Sequence, residues 1–459
     1  MRTCSLILIL AWASTAQAEI ISGQEGSLGE QFFQRGFGPF SSENVQEIPE
    51  LSEALEQFEA GNLEGCLELL NSAREERPNL PPGRLLLARL LLLAGRIPQA
   101  RLALEQSAAE EPEYSGIYLT FGELALAEGR ITDASLQYRH ALSIVGSVPD
   151  KTAVQYVQRE ANAGLATVAE RRGDWETACQ KFSTWLAFDP RNAEVLQRYA
   201  RALYHADDPD AALTQFKAAF EIDDSLQPPE VAMAWLSEQQ GDRKVADTWI
   251  ESALETPTEG LDRHVAAWML HTSRFDQAAD HAEAAQKANP EDPEVLLLCG
   301  QVERARKNLD AAEKWFRDSR RQNPNDVRSG VFLALTLVDQ DDRDKRREAL
   351  QIAESMVREH PDSTDAVAAL GHVYYEFGRL DEAGRMLEAA LRSGMLSSRT
   401  AYFAAQLLAD RGRLDEARGY LQSAVEADGY FEYRDEAAAW LQRIAPRRPD
   451  DNTVETTDN

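Results

Sequence analysis

Apolar side chains fall on paired stripes of helical spacing along most of the chain. Val367, Leu370, Gly371 and Tyr374 form one stripe, a turn signal follows at Gly378, and Ala383, Leu387, Ala390 and Leu391 form the next. An apolar residue at every third or fourth position marks one face of a helix, so each pair of stripes predicts two helices joined by a short turn. Turn signals recur at Gly61, Gly95, Gly129, Gly173, Asp207, Gly241, Ser273, Lys307, Asp341, Gly378 and Gly412, most of them 34 residues apart. The stretch EFGRLDEAGRMLEAAL from Glu376 returns 34 residues later as DRGRLDEARGYLQSAV. Five positions after the turn stands a small residue: Cys66, Ala100, Ala134, Ala178, Ala212, Ala246, Ala278, Ala312, Ala383 or Ala417, with Ala349 filling the slot after a three-residue insertion. A ten-residue excess between Ala134 and Ala178 and a two-residue deficit before Ala278 are the other departures. The pattern predicts eleven helical hairpins.

The small residues have a mechanical reason. Gly371 and Ala383 fall where two helices cross closely, and larger side chains there would push the axes apart. Pro78, Pro112, Pro190, Pro290, Pro324 and Pro361 follow second helices, where a residue without an N–H ends one hairpin and starts the next. One hairpin cannot bury its apolar face alone, so neighbours must stack and contacts stay between adjacent hairpins.

Val367, Leu370-Gly371 and Tyr374 followed by Ala383 and Leu387 resemble the tetratricopeptide repeat, as do Ala312, Phe316 and Pro324. The resemblance runs over residues 49–445. It departs from the family pattern in lacking the opening Trp, in placing Ala at the Gly371 slot of many hairpins, and in putting Cys299 where Leu is usual. It implies an all-α fold, a right-handed α-solenoid of about eleven helix-turn-helix repeats. It also implies that ligands lie in a concave groove lined by the first helices.

Outside the array, residues 1–18 carry Arg2, an apolar run from Leu6 to Trp12 and an Ala16-Gln17-Ala18 ending, the pattern of a cleavable export signal. Residues 19–48 form an arm or linker with Phe32, Phe33, Phe37 and Phe40, which reads as a docking arm or as a cover on the first hairpin. RDEAAAWLQRIA is a capping helix, and residues 446–459 lack apolar side chains and are expected to be disordered. No later stretch is long enough to span a membrane, so no membrane insertion is expected after signal cleavage. The signal, with no Asn-x-Ser/Thr site and no C-terminal retention sequence, predicts a periplasmic or secreted protein of bacterial origin.

Charge narrows the partners. A formal net charge of −29 and a pI near 4.7 repel nucleic acid backbones and anionic membrane surfaces. No HExxH, CxxC, GxSxG or phosphate-loop spacing occurs, so no enzyme, metal or cofactor is expected. His264 and His271 are seven residues apart, about 11 Å along a helix, too far for one zinc ion. Cys66, Cys179 and Cys299 stand in hairpins one, four and eight, too distant for a disulfide. They read as small buried hydrophobes.

Removing the packing stripe from the first helices leaves a set almost free of carboxylates in a strongly acidic chain. It comprises Arg198, Arg201, Tyr204 and His205, then Trp235, then Arg263, His264 and His271, then Gln301 and Arg304, then His372 and Tyr375, and finally Tyr402, Phe403 and Gln406. Guanidinium groups suit carboxylates and aromatic rings suit stacking. The expected ligand is an extended acidic peptide or protein segment, although a glycan with uronic acids would meet the same lining. The corresponding function is an exported, non-enzymatic scaffold for protein–protein interaction. The alternative is a structural subunit of a cell-envelope export or polysaccharide secretion machine.

Overall fold

The structure, a computed structural model, describes residues 28–35, 37, 48–145, 151–394 and 396–444. The expected export signal and the tail 446–459 lie outside these residues. The described residues form twenty-four helices and no strand. The chain divides into two compact bodies, Met1–Leu226 and Gln227–Asn459.

In the N-terminal body, α1 (Leu28–Arg35) precedes five hairpins. These are α2 (Pro49–Glu59) with α3 (Leu63–Glu76), α4 (Gly83–Leu93) with α5 (Ile97–Glu110), α6 (Ser115–Ala127) with α7 (Ile131–Ile144), α8 (Lys151–Arg172) with α9 (Trp175–Leu186), and α10 (Ala193–His205) with α11 (Pro209–Ile222). Phe32 and Phe37 of the arm are fully buried with Leu51, Phe58 and Leu85, and α1 packs on α4. Much of the ten-residue excess goes into α8, which is 22 residues long.

In the C-terminal body six hairpins follow. They are α12 (Pro229–Gln239) with α13 (Arg243–Glu255), α14 (Leu261–His271) with α15 (Phe275–Ala288), α16 (Pro293–Ala305) with α17 (Leu309–Gln322), α18 (Val327–Val338) with α19 (Arg343–Glu359), α20 (Thr364–Glu376) with α21 (Leu380–Arg392), and α22 (Ser398–Asp410) with α23 (Leu414–Glu426). A last helix, α24 (Arg434–Ile444), packs on α23.

The small-residue slot explains why each pair closes. All eleven residues in it, from Cys66 to Ala417, have 0% exposure. A Cβ on Gly371 would stand 2.8 Å from Leu387 Cγ, so the crossing of α20 and α21 leaves room for hydrogen alone. Seven turn glycines, together with Asp207, Ser273 and Lys307, adopt the left-handed conformation that reverses the chain between paired helices. The ninth turn departs: Asp341 has no such conformation, and Asp342 caps α19 by accepting from the backbone N–H of Asp344 and Lys345. The three-residue insertion thus goes into α19, which runs to 17 residues. Side-chain N-caps at Asn62, Asp174, Asn192, Asp208 and Asp242 start other helices, each contributing about 1 kcal/mol.

Within each body consecutive first helices touch one another, as α6 does α8, and as α14, α16, α18, α20 and α22 do in succession; consecutive second helices make no comparable contact. The first-helix side is therefore the inner side of each stack. Among the described residues no helix is long and apolar enough to cross a membrane.

Candidate binding face of the first helices

Between α23 and α24 the chain reads ADGYFEY, and it cannot continue the helix. Gly429 adopts φ +83, a conformation strained for other residues. The Arg434 guanidinium donates to the carbonyls of Val425 (3.1 Å), Ala427 (2.5 Å) and Gly429 (2.6 Å), tying the bend to itself. Residues 428–433 are thereby carried onto the first helices of their own body.

Residues 429–433 each meet a side chain of a first helix, of a turn or, for Tyr430, of the first residue of α15. A Cβ on Gly429 would lie 2.7 Å from His271 Nδ1, so the backbone passes directly over that imidazole. The Tyr430 ring meets Phe275 edge-on at 5.6 Å, and Phe431 meets Tyr402 at 5.8 Å. Glu432 accepts two hydrogen bonds from Arg399, Nε to Oε1 at 2.7 Å and Nη2 to Oε2 at 3.2 Å, while its carbonyl accepts from Lys307 Nζ at 3.3 Å. Lys307 Nζ also donates to Glu436 at 3.0 Å. Tyr433 stacks on Tyr402 at 5.2 Å, and its hydroxyl accepts from Arg304 Nη2 at 2.7 Å and donates to Asp339 Oδ2 at 3.0 Å. Arg304 completes its fork with Asp339 Oδ2 at 2.6 Å and Thr336 Oγ1 at 2.9 Å.

The electrostatics follow from burial. Arg304 is 3% exposed and Glu432 8% exposed, so neither charge would be stable alone. Burial opposes the Arg304 charge, but Tyr433, Asp339 and Glu432 outweigh it and raise the guanidinium above its ordinary value. Burial would likewise raise Glu432, but the charges of Arg399 and Arg304 hold it below the usual carboxylate range. Asp339 is also held low: burial raises it, while His372, Arg304 and Tyr433 together overcome that effect.

The cluster is not fully satisfied by protein groups. Arg304 Nε, both imidazole nitrogens of His372, and Gln406 Oε1 are buried with no protein hydrogen-bond partner. His372 is 2% exposed, stacks on Phe403 at 4.0 Å, and has its Nε2 3.9 Å from Asp339 Oδ1, beyond hydrogen-bond reach. An unpaired buried polar group costs about 1–3 kcal/mol.

The structure thus gathers Arg304, His372, Tyr402 and Phe403 into one site, with Tyr375 beside His372 at 6.4 Å. It corrects their expected exposure, for all four are buried beneath residues 428–433. Trp235 and His271 pair at 4.5 Å at the start of the same segment. Arg263 donates toward His264 Nε2 at 3.2 Å and faces Asp292 at 3.8 Å. Burial, then Arg263, lower His264 to about 4. Gln301 is half-buried on α16. Among the described residues, no group of three His, Cys, Asp or Glu side chains could hold a metal.

Arg198, Arg201, Tyr204 and His205 belong to the N-terminal body. Arg198 donates to Glu170 at 3.1 Å and Thr167 at 2.7 Å and covers the Phe182 ring, so it joins neighbouring helices. His205 stacks on Trp175 at 4.4 Å. Glu170 and Asp339 correct the impression of a face lacking carboxylates. A cleft of about 440 Å³ between α7, α8 and α9 carries Arg139, Arg172 and Lys181 over Leu142, Leu165 and Val168. Within it Lys181 donates to Asn162 and Arg172 to Thr132.

Sequence reasoning missed Arg399, Lys307, Asp339 and Phe275, together with the segment itself. The one signal for the segment was an aromatic-acid-aromatic run, placed after a glycine and outside the hairpin period.

Tetratricopeptide-repeat family profiles match residues 57–108, 271–327, 342–399 and 398–419. Curated protein sequences give no match. Among solved structures the chain is similar to TTC0263, a thermophilic tetratricopeptide-repeat protein of Thermus thermophilus, with 22% identity over 41% of this chain and 98% of that one and a TM-score of 0.36. It is also similar to yeast Tom70, with 16% identity over 86% and 94% of the two chains and a TM-score of 0.36. A third is YrrB, described as having an unusual peptide-binding site, with 20% identity over 42% and 98% and a TM-score of 0.30. The profile matches and the eleven hairpins show that this chain carries tetratricopeptide repeats.

Proposed function

We propose that the protein is a non-enzymatic scaffold that holds an extended, acidic segment of a partner protein along the first helices of its C-terminal body. Tetratricopeptide repeats suggest a role in protein–protein interaction, and the chemistry of this face supports the finer reading. The observation that carries it is the seating of residues 428–433. Arg399 grips a carboxylate, Arg304 a phenol, Tyr402 stacks on one aromatic ring and Phe275 meets another edge-on. These are the contacts an acidic, aromatic peptide requires. Export through residues 1–18 belongs to the same proposal and rests on their sequence pattern.

A photo-crosslinking residue at Gln301 or Trp235 tests the face, with Val245 and Leu254 as controls, both 41% exposed on α13. Partner adducts are expected from the first-helix positions and not from the controls. Adducts from the controls alone would contradict the assignment.

A further inference from the structure

We propose that residues 428–433 are an internal ligand, and that the external partner carries a similar aromatic-acid-aromatic segment and enters by displacing them. The inference rests on the first-helix reading above and adds the partner's chemistry and the competition.

Three observations carry it. First, the segment binds through side chains and not as a hairpin of the array: Tyr433 reaches Arg304 across 129 residues of sequence and Asp339 across 94. Contacts in a stacked array otherwise stay between neighbours. Second, its sequence sets an acid between rings, and these side chains have receptors of matching chemistry: Phe275 for Tyr430, Arg399 for Glu432, and Arg304 with Tyr402 for Tyr433. Third, the fit is incomplete. Arg304 Nε and both nitrogens of His372 are buried polar atoms that the segment does not satisfy. A partner segment presenting acceptors to Arg304 and His372 would meet capacity that residues 428–433 leave unused.

The tether sets the competition. Few residues separate Glu426, the end of α23, from the segment, so its effective concentration at the face is in the millimolar range typical of short linkers. An external segment therefore binds with an affinity reduced by the fraction of time the face is open.

Fluorescence anisotropy of a labelled peptide ADGYFEYRDE, copied from residues 427–436, tests this on the full chain and on its Glu432→Ala variant. The substitution removes the internal carboxylate and leaves Arg399 to the peptide. About tenfold tighter binding to the variant is expected, lost again when the peptide's own central glutamate is replaced by glutamine. Equal affinity for both chains would overturn the internal-ligand inference while leaving the first-helix reading intact. Absence of binding to the variant would also overturn the inference, and the crosslinks at Gln301 and Trp235 then judge the first-helix reading separately. Should Glu432→Ala lose its helical circular dichroism, Tyr430→Ala, which removes only a half-buried ring from Phe275, replaces it under the same criteria.

Discussion

At the residue scale, Arg304 shows how position on a helix and environment can diverge. Its place off the packing stripe of α16 was legible in the sequence, and that is why it reads as a solvent-facing cation. Its burial comes from Tyr433 and Asp339, which no local pattern links to it. With Arg304→Met, the Asp339 carboxylate and the Tyr433 hydroxyl lose their shared donor in a buried setting. A loss of about 3 kcal/mol is expected for breaking such a pair, measured by urea unfolding. A loss below about 0.5 kcal/mol would show that the guanidinium is solvated in the folded protein. The cysteines were more legible. Cys66 and Cys299 are buried, and burial pushes both thiols up to about 12, as suits packing residues, whereas Cys179 on α9 is only half-buried.

At the element scale, the hairpins were legible because the period of small residues and turns reports directly on how two helices cross. The ninth turn was less so. Asp341 lies on the 34-residue grid, yet the insertion shifts the start of α19, and the cap falls to Asp342. Residues 428–433 were legible only as an aromatic-acid-aromatic run after a glycine, since a bent segment held by side chains has no periodicity to read. Its titration is nonetheless predictable. Glu432 and Asp339 are both held below the ordinary carboxylate range, so their contribution is complete above the unfolded value near 4 and is lost as pH falls through the depressed folded values. The ring signals of Tyr402 and Tyr433 in near-ultraviolet circular dichroism should persist from pH 7 to about 4 and fade only below it. Fading between pH 7 and 6 would place control of the segment in a group other than these two carboxylates.

At the scale of the whole molecule, an array stabilised by nearest neighbours gains an unusual feature in its C-terminal body. Residues 428–433 connect α22 to α16, to the first residue of α15 and to the end of α18, and so link hairpins that are not adjacent in the chain. The central claim is that this inner face is a peptide site already occupied by the chain itself. Hydrogen exchange on the full chain, with and without an excess of the tagged peptide ADGYFEYRDE, tests it most directly. The claim predicts that the amides of Phe431, Glu432 and Tyr433 lose protection when the peptide binds, while α16, α20 and α22 keep or gain theirs. Bound peptide with unchanged protection at those three amides, or new protection confined to the second helices, would contradict it.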